Sequence, residues 1–130
     1  MVSDFAAVLD AFYDSFAGGR TDEFLAFFAD DARVLLHEQQ AIEGIESIAA
    51  SFTELFAEVD TSAFVVTPDL VDIEGDRVHV LAEFTETLLV RDGGSRISVD
   101  GRIVLRWERR DGEWRLTRVL TSRAAPDRTA

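Results

Sequence analysis

Apolar residues recur at helical spacing through the first half of the chain. They repeat every three or four positions from Ser3 onward, which predicts amphipathic helices that each bury one face. Ser3 can cap the first helix, and Gly18-Gly19 supplies the left-handed stop on which helices commonly end. The predicted helices span Ser3–Ala17, Thr21 to just before Asp30, and about Gly44–Val59.

The hydrophobic period changes to two after the third helix, which predicts strands. Turns containing glycine separate these strands, and Pro68 marks a bulge or an edge in the first long one. Helices followed by an antiparallel meander predict an α+β fold, a cone-shaped roll with three helices packed on a curved sheet. The predicted strands are Arg33–His37, Ala63–Ile73, Arg77–Val90, Arg96–Arg109 and Trp114–Ser122, and residues 124–130 are expected to fray.

Alternation sorts the long strands into an apolar face and a polar face. The apolar face must meet the helices, whereas the polar face meets water or a partner subunit. The residues assigned to the apolar face are Val78, Val80, Ala82, Phe84, Leu88, Ile97, Val99, Ile103, Leu105, Trp107, Trp114, Leu116 and Leu120. Those assigned to the polar face are His79, Glu83, Thr85, Thr87, Ser98, Asp100, Arg102, Arg106, Arg115 and Thr117.

Length and composition indicate one globular domain. The chain has 130 residues, of which 47% are hydrophobic and 29% charged. No run approaches the roughly 20 apolar residues of a membrane span, and the start lacks the basic residues of a signal peptide. The absence of cysteine excludes disulfides, thiolate metal sites and cysteine nucleophiles, and it fits a cytoplasmic protein.

The net charge of −12 argues against two classes of partner. Such a surface repels nucleic-acid phosphates and anionic lipid, so neither nucleic acid nor a membrane is expected as a partner. All 13 basic residues are arginine. The missing lysine excludes Schiff-base chemistry and is explained by coding bias or a salt-adapted surface.

Three segments carry a resemblance to a known family: FLAFFADDARVLL, IEGIESIAASF and IVLRWERRDGEWRLTRV. In this order, after an N-terminal helix, they resemble the SnoaL-like group of the nuclear transport factor 2-like superfamily over nearly the whole chain. The resemblance implies a pocket between the concave sheet and the helices, small apolar substrates and no cofactor. It also implies dimerisation through the outer sheet face. Because enzymes, binding proteins and assembly domains share this fold, the segments indicate fold rather than activity.

The resemblance disfavours one activity in particular. Ketosteroid isomerase places a tyrosine on its first helix, an aspartate base on the strand after the Asp-Asp corner and a second carboxyl on the sheet. The matching positions here, to within about one residue, are Phe12, Leu36 and Ile103. All three are apolar, so the proton-transfer groups of that enzyme are missing.

Four residues remain as candidate catalytic groups. Tyr13, on the first helix, either donates a hydrogen bond to a ligand or is a core-edge tyrosine whose hydroxyl reaches water. His37 is either a general base or a surface-loop histidine, and with only two histidines in the chain no metal site is expected. Glu86 and Arg118, assigned to the apolar face, form either a salt bridge at its rim or an acid/base and an anion-orienting group.

Two functions therefore stay open. The first is a small-molecule-binding protein that isomerises, cyclises or hydrates an apolar metabolite, and the second is a non-catalytic assembly domain with a filled core. The apolar residues expected to bind the ligand are Phe12, Leu36, Phe84, Ile103 and Trp107.

A homodimer through the polar outer face is also expected. An interface of this kind would let each copy's arginines meet the other's carboxylates. Reversal of Arg102 to Glu should then weaken the dimer at low salt.

Overall fold

Three helices pack on one face of a curved six-stranded sheet. The computed structural model describes residues 2–36 and 40–123. The elements are α1 (Val2–Ala17), α2 (Thr21–Leu25), β1 (Phe28–Leu35), β2 (Ile42–Glu43), α3 (Ile45–Glu58), β3 (Val59–Glu74), β4 (Arg77–Val90), β5 (Arg96–Arg110) and β6 (Glu113–Arg123). The strand order is β2-β1-β6-β5-β4-β3, antiparallel except for the parallel pair β1–β6. The predicted α+β roll with a mostly antiparallel sheet is confirmed.

Two strand starts differ from the prediction. β1 begins at Phe28 rather than at Arg33, and the two aspartates expected to end the preceding helix lie within this strand. The chain stays extended there because Ala29 and Ala32 are buried, while Asp31 accepts a hydrogen bond from Arg110 Nη1 at 2.8 Å. β3 begins at Val59, directly after α3, and so lengthens the edge of the sheet. The tail at 124–130 lies outside the described residues.

Aromatic side chains form the centre of the core. Trp107 is fully buried, and its ring meets Phe5 and Phe12 edge-on at centroid distances of 5.7 and 5.4 Å. Phe24 stacks on Phe12 at 5.2 Å and contacts Phe52 of α3 at 4.8 Å. These contacts tie all three helices to the sheet.

A β-bulge at Thr117 reverses the alternation of β6. Arg106 pairs with Arg118 but Trp107 pairs with Leu116, so Thr117 is an extra residue. Its side chain is buried, and its Oγ1 donates a hydrogen bond to the carbonyl oxygen of Arg106 at 3.0 Å. The predicted outer position of Thr117 and inner positions of Arg118 and Leu120 are therefore wrong, because every side chain beyond the bulge changes face.

Gly101 allows the two central strands to approach closely. A Cβ at this position would lie 2.2 Å from the carbonyl oxygen of Ser122 and 2.9 Å from the Phe84 ring. The ring of Phe84 therefore lies over a backbone without a side chain, and only glycine fits there.

The outer face of the sheet is less polar than predicted. A row of mutually paired apolar residues crosses five strands at right angles to them. We call these five residues the apolar row: Leu70, Leu81, Val104, Leu120 and Leu35. Four of them are 37–52% exposed, and Val104 is half-buried.

None of the helices in the described part of the chain has the length and apolar character needed to cross a membrane.

Candidate functional site

A cavity of about 280 Å³ lies between the helices and the inner face of the sheet. All three helices and the strands β1, β3, β4, β5 and β6 contribute to its walls. The aromatic residues of the described chain that line it are Phe12, Tyr13, Phe16, Phe24, Phe28, Phe52, Phe56, Phe64 and Phe84. The helices supply most of these rings because their apolar stripes face the sheet, and the sheet supplies aliphatic residues such as Val99 and Val119.

Packing between the aromatic rings fixes the wall of the cavity. Phe16 lies 5.1 Å from Phe64 and 5.7 Å from Phe56, measured between ring centroids, and Tyr13 lies 6.0 Å from Phe64. The interplanar angles of these three pairs are 59–60°, so the rings are tilted rather than stacked. Phe64 thus links α1 to β3, the strand at the edge of the sheet.

Tyr13 brings a phenol hydroxyl into this apolar wall. The oxygen is buried and has no hydrogen-bond partner in the described part of the chain. Burial, and secondarily the nearby charge of Asp10, raises the pKa of Tyr13 to about 12. The phenol therefore stays protonated at neutral pH and is free to hydrogen-bond a guest.

Glu86 supplies the one carboxyl group among the described cavity-lining residues. It lies on the inner face of β4, paired with Phe64 on one side and Val99 on the other, and is 9% exposed. Within residues 2–36 and 40–123 it forms no ion pair or hydrogen bond through its side chain. Burial among apolar neighbours raises the pKa of Glu86.

Arg118 lies on the opposite side of the sheet from Glu86. Its Nη1 donates a hydrogen bond to the carbonyl oxygen of Thr117 at 2.8 Å. The predicted salt bridge between Glu86 and Arg118 is therefore wrong. The cation among the described cavity-lining residues is Arg123, which lies beyond the bulge at the exposed end of β6.

Arg123 and Thr121 were both missed by reasoning from the sequence. Val119 and Leu120 are both apolar, so the sequence of β6 is compatible with either residue on the inner face. The sequence of β6 therefore carries no local signal of the bulge.

Four of the five apolar residues expected to bind a ligand line the cavity: Phe12, Leu36, Phe84 and Ile103. Trp107 does not, because it is enclosed in the core between Phe5 and Phe12. The prediction for His37 lies outside the described residues. Ligand binding by the four lining residues stays a prediction.

No group of three or more histidine or acidic side chains within residues 2–36 and 40–123 is arranged to hold a metal ion.

Residues 2–119 match the family model of the SnoaL-like domain. The chain belongs to this family. The match covers all three helices and the sheet as far as Val119, and it confirms the resemblance carried by the three sequence segments. No curated protein matches the SnoaL-like chain.

Solved structures share the fold of this SnoaL-like domain along nearly its whole length. A ketosteroid isomerase-like protein from Erwinia carotovora atroseptica is 18% identical, with a TM-score of 0.82 over 93% of this chain and 94% of that one. A candidate dehydratase of the nuclear transport factor 2-like family from Streptomyces avermitilis is 13% identical, with a TM-score of 0.81 over 95% and 97%. A candidate calcium/calmodulin dependent protein kinase II association domain from Xanthomonas campestris is 20% identical, with a TM-score of 0.74 over 95% and 88%. At these identities the likeness shows the fold alone.

Proposed function

We propose that this SnoaL-like domain binds a small, largely apolar organic molecule in its cavity. The observation that carries the proposal is an aromatic cavity of about 280 Å³ whose wall contains two buried polar groups, Tyr13 and Glu86, without partners in the described chain. Apolar pockets with a few converging polar groups are typical ligand sites. Burial of an unpaired hydroxyl and carboxyl is costly, and a guest that bonds to them would offset that cost.

The chemistry proposed for this site is isomerisation, cyclisation or hydration without a cofactor. Glu86 can accept and return a proton at a pKa closer to neutrality than that of an exposed glutamate. The phenol of Tyr13 can donate a hydrogen bond to a developing negative charge. Phe12, Leu36 and Ile103 line the cavity with apolar surface, so proton transfer would depend on Glu86 rather than on the positions used by ketosteroid isomerase.

Filling the cavity tests this proposal. Val99→Phe places a ring in the cavity, whereas Val104→Phe adds the same volume on the outer face of the same strand. A panel of small apolar compounds is screened by thermal shift, since a ligand at a hundredfold excess over its Kd adds about 2.7 kcal/mol to the free energy of unfolding. We expect Val99→Phe to abolish the shift and Val104→Phe to retain it. A panel without effect on the wild type, or a shift retained by Val99→Phe, contradicts the proposal.

A second proposal concerns assembly, and the apolar row supports it. We propose that two copies associate through the outer face of the sheet. On one side of the row lie Arg106 and Arg118, and on the other side lie Glu83 and Arg102. A two-fold axis along the row would place His79 of each copy over Glu83 of the other, with Arg106 beside that carboxylate and over Arg102.

A further inference from the structure

We propose that the cavity accepts a small organic cation, an ammonium group on an apolar frame, held between Glu86 and the surrounding aromatic rings. This inference rests on the proposed ligand-binding function and adds the chemical class of the ligand. It follows from the position of Glu86, from the aromatic walls and from the charge of the chain.

Glu86 is buried among apolar neighbours and has no counterion in the described chain. The side chain is 9% exposed, and its cross-strand neighbours on the same face are Phe64 and Val99. A buried carboxylate is stable only with a cation or a set of hydrogen bonds, and the described chain supplies neither. It must therefore hold a proton or receive a positive charge from a guest. A guest cation would satisfy the carboxylate without help from the protein.

The aromatic rings beside Glu86 favour the same guest. Phe64 lies directly across from Glu86 in the strand register, and its ring is 5.1 Å from Phe16, 6.0 Å from Tyr13 and 6.3 Å from Phe84. The face of an aromatic ring is electron-rich and attracts a cation within about 6 Å of its centroid. Methyl groups on an ammonium nitrogen would also bury well in this apolar wall. The hydroxyl of Tyr13 can accept a hydrogen bond from a protonated amine.

The charge of the molecule disfavours an anionic guest. The net charge of −12 concentrates cations near the surface. Arg123 is the cation among the described lining residues, and it lies at the exposed end of β6, where water screens it. An anion in the cavity would meet the carboxylate of Glu86 in a region of low dielectric constant.

Two probes of equal shape test the inference. Phenyltrimethylammonium and tert-butylbenzene differ in one atom, nitrogen against carbon, and therefore in charge alone. Their Kd values are measured by NMR titration on the wild type, on Glu86→Gln and on Glu83→Gln. Glu83 is the control because it lies on the outer face of the same strand and carries the same charge.

We expect the wild type and Glu83→Gln to bind the ammonium at least tenfold more tightly than the hydrocarbon. Glu86→Gln should lose that preference and keep the affinity for the hydrocarbon within about twofold. Retention of the hydrocarbon affinity shows that the variant is folded around an intact cavity. An equal or stronger affinity of the wild type for tert-butylbenzene overturns the inference, as does a preference that survives in Glu86→Gln.

Two other outcomes separate this inference from the proposed function. If the neutral ketone 4-phenyl-2-butanone binds more tightly than the ammonium, Glu86 acts as a protonated hydrogen-bond donor, and the cation inference fails while ligand binding stands. If neither these probes nor any compound of the apolar panel binds, the proposed function fails and the inference fails with it.

Discussion

At the scale of single residues, the cavity is distinguished by polar groups that the core does not satisfy. The hydroxyl of Tyr13 lacks a partner in the described chain, and the carboxyl of Glu86 has apolar neighbours on both adjacent strands. Structural burial of this kind lowers the stability of the fold unless another interaction compensates for it. In the proposed function, a bound guest supplies that interaction for both residues.

The pH dependence of stability follows from the raised pKa of Glu86. Between the pKa of a glutamate in the unfolded chain, about 4.3, and the higher pKa in the fold, the folded state binds more protons. The contribution of Glu86 to the free energy of unfolding is therefore complete below the unfolded value and is lost as the pH rises through the folded value. The charged or titratable groups that share the described cavity wall are Tyr13 from α1 and Arg123 from β6.

We expect Glu86→Gln to gain stability relative to the wild type as the pH rises from 4 towards 8. Urea denaturation at each pH gives the difference in the free energy of unfolding, which cancels the titration of the other acids. Glu83→Gln removes the same charge from the outer face of β4 and controls for the lost charge. A difference that is constant with pH would show that Glu86 is solvated or paired in the folded protein.

At the scale of elements, the hydrogen bond of Thr117 stabilises the bulge of β6. The bond from its Oγ1 to the Arg106 carbonyl oxygen is half-buried, and its loss leaves the buried side chain of residue 117 without this contact. We expect Thr117→Val to lower the free energy of unfolding by about 0.5–1.5 kcal/mol in urea denaturation, and Thr117→Ser to retain most of it. Thr85→Val, which breaks an exposed bond to Asp100, is the matched control. Equal losses at the two threonines would argue against a special role for the bulge.

The hydrophobic period predicted which helices and strands form better than it predicted where each begins and which face each side chain occupies. The first and third helices and the four long strands were found because each has a long apolar stripe or alternation. The short helix α2 starts at Thr21 as predicted but ends at Leu25, earlier than predicted. The two-residue strand β2 is too short to show a period. The early start of β1 at Phe28 depends on its pairing with Leu116 of β6, a distant partner that no local pattern records.

The same limit applies to the candidate site. Glu86 and Phe84 were placed correctly on the inner face because β4 itself alternates without interruption, and the register shifts of its pairing with β3 lie in β3. Arg118 was misplaced because one extra residue shifts everything after it. Trp107 was assigned to the correct face but does not line the cavity. The rings of Phe5 and Phe12 cover it, and this packing cannot be predicted from the alternation of β5.

At the scale of the whole molecule, the proposed dimer must overcome a net charge of −12 per copy. The apolar row offers a non-polar contact that salt does not weaken, and arginines lie on both sides of it. Arg102 already pairs within its own copy, with Glu83 at 3.3 Å and Asp69 at 4.0 Å. Reversal of the Arg102 charge would therefore break ion pairs within each copy as well as contacts across the proposed interface. A substitution at Leu81, in the apolar row, tests the interface more directly.

We expect Leu81→Glu to convert the dimer to a monomer in sedimentation at micromolar concentration. A charge at the centre of an interface of about 1,200–2,000 Å² would be buried without a partner. Ile97→Glu introduces the same charge on the inner face and should leave the dimer intact. A wild-type monomer, or a dimer that tolerates Leu81→Glu, would refute association through this face.

The bulge at Thr117 also makes the interior tolerant of a change in the length of the gene. Deletion of this one codon would restore strict alternation to β6, with Leu116 still paired to Trp107 and Arg118 still paired to Arg106. Val119 would stay on the inner face and Leu120 on the outer face. A change of one codon at this point would thus shorten β6 without exchanging the wall of the cavity with the outer surface. Among relatives that differ in length here, the two faces of β6 are therefore expected to keep their residues.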